Sequence, residues 1–321
     1  MYRKSWRYYR DSFLFWLPFF LLLLSGGYAL SHPTYWPLVL FFWFIRNPVR
    51  KAFSFAHPYR RFGWIESTHL EFREVTFRSR DGLTLFGRFL PSRNSATILL
   101  LHGLGGANQD MLIYAEFLAH AGFGVFMIDL RAHGSSDGDT STYGLREADD
   151  VAGAVDYLLT RIDVNGQRIG ALGISLGAQA ALRGALKTEH LRALVLEGLN
   201  PSILSDHGGR PQSLARWLNY PTNWLYYRLY HFMTGGMEAG VLDVIGKLSP
   251  RPVLLIASGE KDIYFNRLFY QAASEPKELW EIPAGEHGAA ILHDSHVYSQ
   301  HVVDFFKKAL WERTHERTGQ G

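Results

Sequence analysis

"RIGALGISLGAQAALRGAL", Arg168 to Leu186, decides how this chain folds. The apolar run RIGALG reads as a short strand, and Leu176 to Leu186 reads as a helix of small residues. Between them lies G-x-S-x-G: Gly173, Ile174, Ser175, Leu176 and Gly177. The pentapeptide alone is weak, because a glycine-rich turn at a strand–helix junction can carry a serine by accident. Its context is stronger. A strand that ends in a serine and passes at once into a helix is a nucleophile elbow, which pushes the hydroxyl out at the carboxyl end of a sheet. The helix start adds backbone donors and a favourable dipole.

The surrounding pattern agrees with such a sheet. EFREVTFR alternates, and Asp81-Gly82 turns it into LTLFGRFL, which predicts two early antiparallel strands. ATILLL, GVFMIDL, RALVLEG, RPVLLIAS and KELWEI are short strands. Helices are expected at Gln109 to Ala121, Leu145 to Thr160, Asn266 to Ala273 and Ser295 to about Arg313. Alternating strands and helices imply a mainly parallel sheet covered on both faces. The rhythm breaks over residues 200–246, an aromatic-rich insert expected to form a short helical lid.

A serine nucleophile needs a base and an acid that orients it. Asp262 follows the strand in LLIASGEKD, with Glu260 as the weaker alternative acid. His287 follows the last strand in LWEIPAGEHG. The order Ser, Asp, His is the one this architecture requires. Oxyanion donors are expected at the backbone N–H of Leu176 and of Leu104, in the loop HGLGG, with Gly103 as the fallback. His102 reads as a brace for that loop rather than as a base.

At this point the chain resembles the alpha/beta-hydrolase superfamily, specifically its serine-aminopeptidase-like esterase branch, which includes membrane-anchored members. The matching stretches are RDGLTLFGRFLP, LLLHGLGG, MIDLRAHGSSDG, ALGISLGAQAAL, LSPRPVLLIASGEKD and PKELWEIPAGEHG, from about Glu71 to the terminal helix. The resemblance implies Ser175 as nucleophile, Asp262 as acid and His287 as base, with Asp129, Arg131 and His133 as structural supports. The chain departs from it after the acid, where IYFNRLF stands in place of a valine-proline pair.

The first residues point elsewhere. SFLFWLPFFLLLLSGGYAL, Ser12 to Leu30, is uncharged and long enough to cross or nearly cross a bilayer, and YWPLVLFFWFI, Tyr35 to Ile45, is shorter. Basic residues flank the pair, Arg3, Lys4, Arg7 and Arg10 before it and Arg46, Arg50 and Lys51 after it. The expectation is a membrane anchor over residues 1–46, either one transmembrane helix with an interfacial segment or a helical hairpin. A cleaved signal peptide is a further alternative. The catalytic domain would then sit at the cell membrane, with the cytoplasmic side slightly favoured by the basic flanks. Residues 47–67 read as a juxtamembrane linker, 68–313 as the hydrolase domain, and 314–321 as a flexible tail.

The remaining composition narrows the function. The chain has 321 residues, 47% of them hydrophobic, and no cysteine, which excludes disulfides and thiol chemistry. A net charge of +3 gives no reason to expect nucleic acid. No metal or other cofactor is expected, and the sequence leaves the oligomeric state open. The function expected is cleavage of carboxylic esters of hydrophobic or lipid-like substrates. Peptidase, amidase or thioesterase activity on the same residues, and a non-catalytic membrane interaction protein on the same scaffold, are the alternatives. Trp217, Tyr220, Trp224, Tyr227, Tyr230 and Phe232 are the candidate lid and pocket residues.

Overall fold

The structure, a computed structural model, describes residues 36–62, 68–208, 214–236 and 239–312. The elements run in chain order as α1 (Trp36–Ala56), β1 (Arg73–Arg78), β2 (Thr84–Leu90), β3 (Thr97–Leu101), α2 (Leu112–His120), β4 (Gly124–Ile128), α3 (Glu147–Leu159), β5 (Ile169–Ile174) and α4 (Leu176–Ala185). They continue with β6 (Leu191–Glu197), α5 (Leu214–Thr234), α6 (Val241–Val244), β7 (Val253–Ser258), α7 (Gly259–Ala272), β8 (Lys277–Ile282), α8 (Ala290–His293) and α9 (Ser295–Lys307).

The strands form one eight-stranded sheet in the order β1-β2-β4-β3-β5-β6-β7-β8. β2 runs antiparallel to both β1 and β4, and the other neighbours are parallel. The fold is therefore the expected alpha/beta one, with the early antiparallel pair where the alternation placed it. β3, β4, β5 and β7 are buried along their whole length, because helices cover both faces. Alternate residues of β3 serve opposite layers. Leu99 and Leu101 pack with Val151, Val155, Leu182 and Phe269 of α3, α4 and α7, whereas Ile98 and Leu100 pack with Tyr114, Tyr298, Val302 and Phe306 of α2 and α9.

Three boundaries differ from the sequence reading. α7 begins at Gly259 rather than near Asn266, so Asp262 stands in the first turn of a helix instead of a loop. Residues 47–56, read as linker, are the second half of α1. Their apolar periodicity is weak because the fully buried positions, Ala52 and Ala56, are small, and because Pro48 sits inside the helix. The large partners, Tyr226 and Tyr230, come from α5, far away in sequence. The shorter apolar run from Trp36 is thus the first half of the same helix, which continues past residue 46 to Ala56.

Among the described residues no helix is long and apolar enough to cross a membrane. The longer apolar stretch, Ser12 to Leu30, and the tail 314–321 lie outside the described residues.

α5 lies within the insert and packs its Tyr226 and Tyr230 face on α1. The Tyr230 hydroxyl donates to the Ser141 carbonyl (2.9 Å), and the Ser141 N–H donates to the Ala56 carbonyl (2.8 Å). One loop therefore ties α1 and α5 to the body.

Candidate active site

The parallel strands end together, and the residues expected from the sequence meet at those ends. Ser175 joins β5 to α4 with φ 53° and ψ −107°, a conformation that a side-chain-bearing residue adopts only when its surroundings impose it. Two glycines make the turn possible by close approach. A Cβ on Gly177 would press on the Leu101 carbonyl, and one on Gly173 would press on the Gly177 carbonyl. The Ser175 N–H donates to the Glu197 carbonyl at the end of β6 (2.8 Å).

His287, in the loop after β8, places Nε2 3.0 Å from Ser175 Oγ. Its Nδ1 lies 2.7 Å from Asp262 Oδ2. Asp262 is buried, whereas the imidazole is open to the cleft. With Nδ1–H donated to the carboxylate, Nε2 presents a lone pair to the serine hydroxyl, the arrangement that can take its proton. Glu260, the alternative acid, is exposed, and the imidazole Nδ1 is bonded to Asp262 instead, so the geometry favours Asp262.

The loop from His102 to Gly106 lies over Ser175. Gly103 and Leu104 both line the cleft, and Leu176 opens α4 with its N–H among the unpaired donors of a helix start. Two buried histidines hold this loop. His102 donates from Nδ1 to the Gly103 carbonyl (2.8 Å) and accepts at Nε2 from the Leu130 N–H (3.1 Å). His133 accepts at Nε2 from the Gly105 N–H (3.0 Å) and donates from Nδ1 to the Arg131 carbonyl (2.8 Å). These bonds need neutral rings. Burial lowers the His102 pKa to about 4 and the His133 pKa to about 3.

Asp129 accepts from the Asn108 and Ser135 N–H groups, and Arg131 pairs with Asp150 (2.6 Å) and Asp81 (2.7 Å). That segment is architecture. Asp137 likewise accepts from the Thr84 N–H. No group of three or more potential metal ligands occurs among the described residues.

The cleft is a cavity of about 850 Å³ lined by Ser175, His287 and the glycine loop, with contributions from α1, α5 and α7. Of the six aromatic candidates only Tyr227 lines it, joined by Tyr226 and Asn223, which the sequence reading did not select. The reason is helical phase. Tyr226, Tyr227 and Tyr230 face inward, and Tyr230 is buried against α1. Trp217, Tyr220 and Trp224 lie on the outer face, Trp217 64% exposed, and Phe232 is also exposed.

Two further residues went unnoticed in the sequence. Asn200 Nδ2 lies 3.2 Å from His287 Nε2, on the same nitrogen that faces Ser175. Its carbonyl accepts from the Gln179 amide. Glu197 is buried and accepts from the Ala290 N–H (3.0 Å) and the Tyr298 hydroxyl (2.6 Å), and burial raises its pKa. The available signal was a polar residue at the carboxyl end of β6 for Glu197, and in the loop just past it for Asn200.

Known proteins resemble the chain over this same region. The alpha/beta hydrolase family model matches residues 98–300. YfhR of Escherichia coli K12 is 32% identical over 250 residues, covering 74% of this chain and 81% of that protein. WAV2 of Arabidopsis thaliana, named as an alpha/beta hydrolase domain-containing protein, is 26% identical over 263 residues, covering 78% and 84%. Among solved structures, the Pyrococcus furiosus esterase Pf2001 aligns with a TM-score of 0.64 at 25% identity, covering 80% of this chain and 98% of that one. Sheet order, elbow and sequence kinship agree: the chain belongs to the alpha/beta hydrolase family.

Proposed function

We propose that the protein is a serine carboxylesterase acting on hydrophobic or lipid-like esters beside a membrane. The observation that carries this reading is the hydrogen-bonded series Ser175, His287, Asp262 opening into the large cleft. His287 takes the Ser175 proton as Oγ attacks the acyl carbon. The Leu104 and Leu176 N–H groups hold the oxyanion. The intermediate then breaks the bond to the alcohol oxygen, which receives the proton from His287. Water repeats the sequence in reverse, giving up a proton to His287 and releasing the acid and free Ser175. Asp262 holds the imidazole in the required tautomer throughout.

Kinship with the esterase Pf2001 supports ester chemistry. A peptidase that recognises a substrate amine would need an unpaired carboxylate in the cleft. Asp110, the acidic lining residue among the described ones, is paired with Arg61 (3.1 Å). α5 acts in this reading as the lid, and its outer apolar face, Trp217, Leu218, Tyr220 and Trp224, together with the apolar Ser12 to Leu30 stretch, supports contact with lipid.

The test is fluorophosphonate labelling of detergent-solubilised protein beside Ser175→Ala and His287→Ala, with nitrophenyl ester turnover in the same samples. Labelling and turnover that vanish in Ser175→Ala are expected. Folded protein that neither labels nor turns over ester would refute the assignment.

A further inference from the structure

The cleft has an uneven charge. Among the described residues, its charged lining is Lys51, Arg61, Asp110 and Lys261. Arg61 is paired with Asp110, which leaves two lysines. Among the described residues neither lysine forms an ion pair. Lys51 comes from α1 and reaches the cleft because that helix is docked on α5. Its ammonium lies 4.6 Å from the centre of the Tyr226 ring and 5.7 Å from that of Phe55. Lys261 comes from the first turn of α7, one residue before Asp262. Both side chains line the same cleft. Desolvation first, and then the Lys261 charge, lower the Lys51 pKa.

The same cleft has an apolar wall in a different layer. Met111 and Ile291 belong to the core between the sheet and α2 and α9, and Ile113 and Leu292 continue that wall. Lys51 belongs instead with the Phe55 and Tyr226 cluster. A cleft with greasy side chains in one layer and unneutralised ammoniums in another suits an amphiphile with a negative head.

We infer that the cleft selects anionic esters, with the acyl chain along Met111, Ile113, Ile291 and Leu292 and a phosphate or carboxylate of the alcohol portion between Lys51 and Lys261. A phosphate monoester matches two ammoniums best, because it carries close to two negative charges at neutral pH. This inference rests on Ser175 being the nucleophile. The bond broken is the carboxylic ester already described, and the anion takes no part in the chemistry.

The experiment compares monooleoylglycerol with its 3-phosphate in neutral mixed micelles, using the full chain, and reads the ratio of their kcat/KM values. A third arm gives the neutral ester in micelles doped with an anionic detergent, which separates recognition of the substrate head from attraction to a charged surface. Glycerol 3-phosphate as a competitor tests whether the head is recognised apart from the lipid. The wild-type ratio is expected to favour the phosphate by about tenfold, and Lys51→Gln or Lys261→Gln to reduce that ratio about fivefold each, mainly through KM. Lys51→Glu should invert it. Lys247→Gln, outside the cleft, should leave it unchanged, and thermal unfolding would establish that each variant is folded.

Turnover of both esters with a ratio near one, or a ratio indifferent to both lysines, would overturn the inference while leaving the esterase reading intact. So would a preference reproduced fully by the doped micelles. Absence of fluorophosphonate labelling and of turnover on every ester would remove the Ser175 reading and this inference with it.

Discussion

The Glu197 carboxylate accepts a 2.6 Å hydrogen bond from the Tyr298 hydroxyl, with both side chains fully buried. The other Glu197 oxygen accepts from the Ala290 N–H, three residues after His287, and the Glu197 carbonyl accepts from the Ser175 N–H. One residue thus fixes the serine turn through its backbone and the histidine loop through its side chain. Glu197→Ala leaves the Tyr298 hydroxyl and the Ala290 N–H without partners, and should cost about 2–4 kcal/mol of stability. Tyr298→Phe should cost about 1–2 kcal/mol. Urea unfolding measures both. A kcat that falls more than stability predicts, at a temperature where each variant is folded, would mark Glu197 as a positioning residue.

Asp262→Asn keeps the shape of the acid but lets the imidazole adopt the other tautomer, with its proton facing Ser175 Oγ. Ester turnover should fall about 10³–10⁴-fold in kcat, with little change in KM. Unchanged circular dichroism should accompany the loss. A tenfold effect or less would mean that another group orients His287, and Asn200 would be the first to examine.

The glycines of the elbow are a matter of packing. In Gly177→Ala the new methyl meets the Leu101 carbonyl, which is held in the sheet and cannot move away. The expected loss is about 3 kcal/mol or more, seen as a lowered unfolding midpoint or as insoluble protein. Ser175→Ala, two residues away, should keep the wild-type midpoint or exceed it, because it adds no atoms to a strained turn.

His102 and His133 predict the response to acid. Their folded pKa values lie near 4 and 3, below the ordinary histidine value near 6.5. Between these limits the unfolded chain binds more protons than the folded one, so the stability they confer is complete above about pH 6.5 and declines as pH falls toward 4. The Asp81 carboxyl is held down to about 2, first by its bond to Arg131, and its share is lost only below about pH 4. Unfolding midpoints measured from pH 7.5 to 4 should fall most steeply below 6.5. His102→Gln should be less stable at neutral pH but should show a flatter slope. A midpoint that stays level down to pH 4.5 would contradict buried neutral rings.

Ala52 and Ala56 set how closely α1 sits on α5. Ala52→Leu or Ala56→Leu should overpack that contact by about 1–3 kcal/mol. The sheet does not depend on this helix, so the main unfolding transition should stay while limited proteolysis cuts within α1 sooner. The same variants should lose preference for the anionic ester, because Lys51 moves with the helix. Unaltered proteolysis would show that the docking tolerates the added bulk.

The alternating apolar runs were sufficient to read the sheet, because a strand buried on both faces can hardly be anything else in a chain of this rhythm. The meeting of Ser175, Asp262 and His287 at one end of the sheet was legible for a related reason. In such a sheet the carboxyl ends of the strands converge, so a serine, an aspartate and a histidine placed just after three of them must come near one another. What the sequence could not decide was which side of a helix faces what. The aromatics of α5 look alike in a row, but the phase of the helix sends Tyr226, Tyr227 and Tyr230 inward and leaves Trp217 and Trp224 outside. Nor could it show that residues 47–56 are helical, because the fully buried positions there are two alanines and the tyrosines they pack against lie some 170 residues away. Lys51 and Lys261 are unremarkable in the sequence. Only the packing of α1 across α5 brings both to one cleft, because long-range contacts, not local pattern, determine where the charges meet.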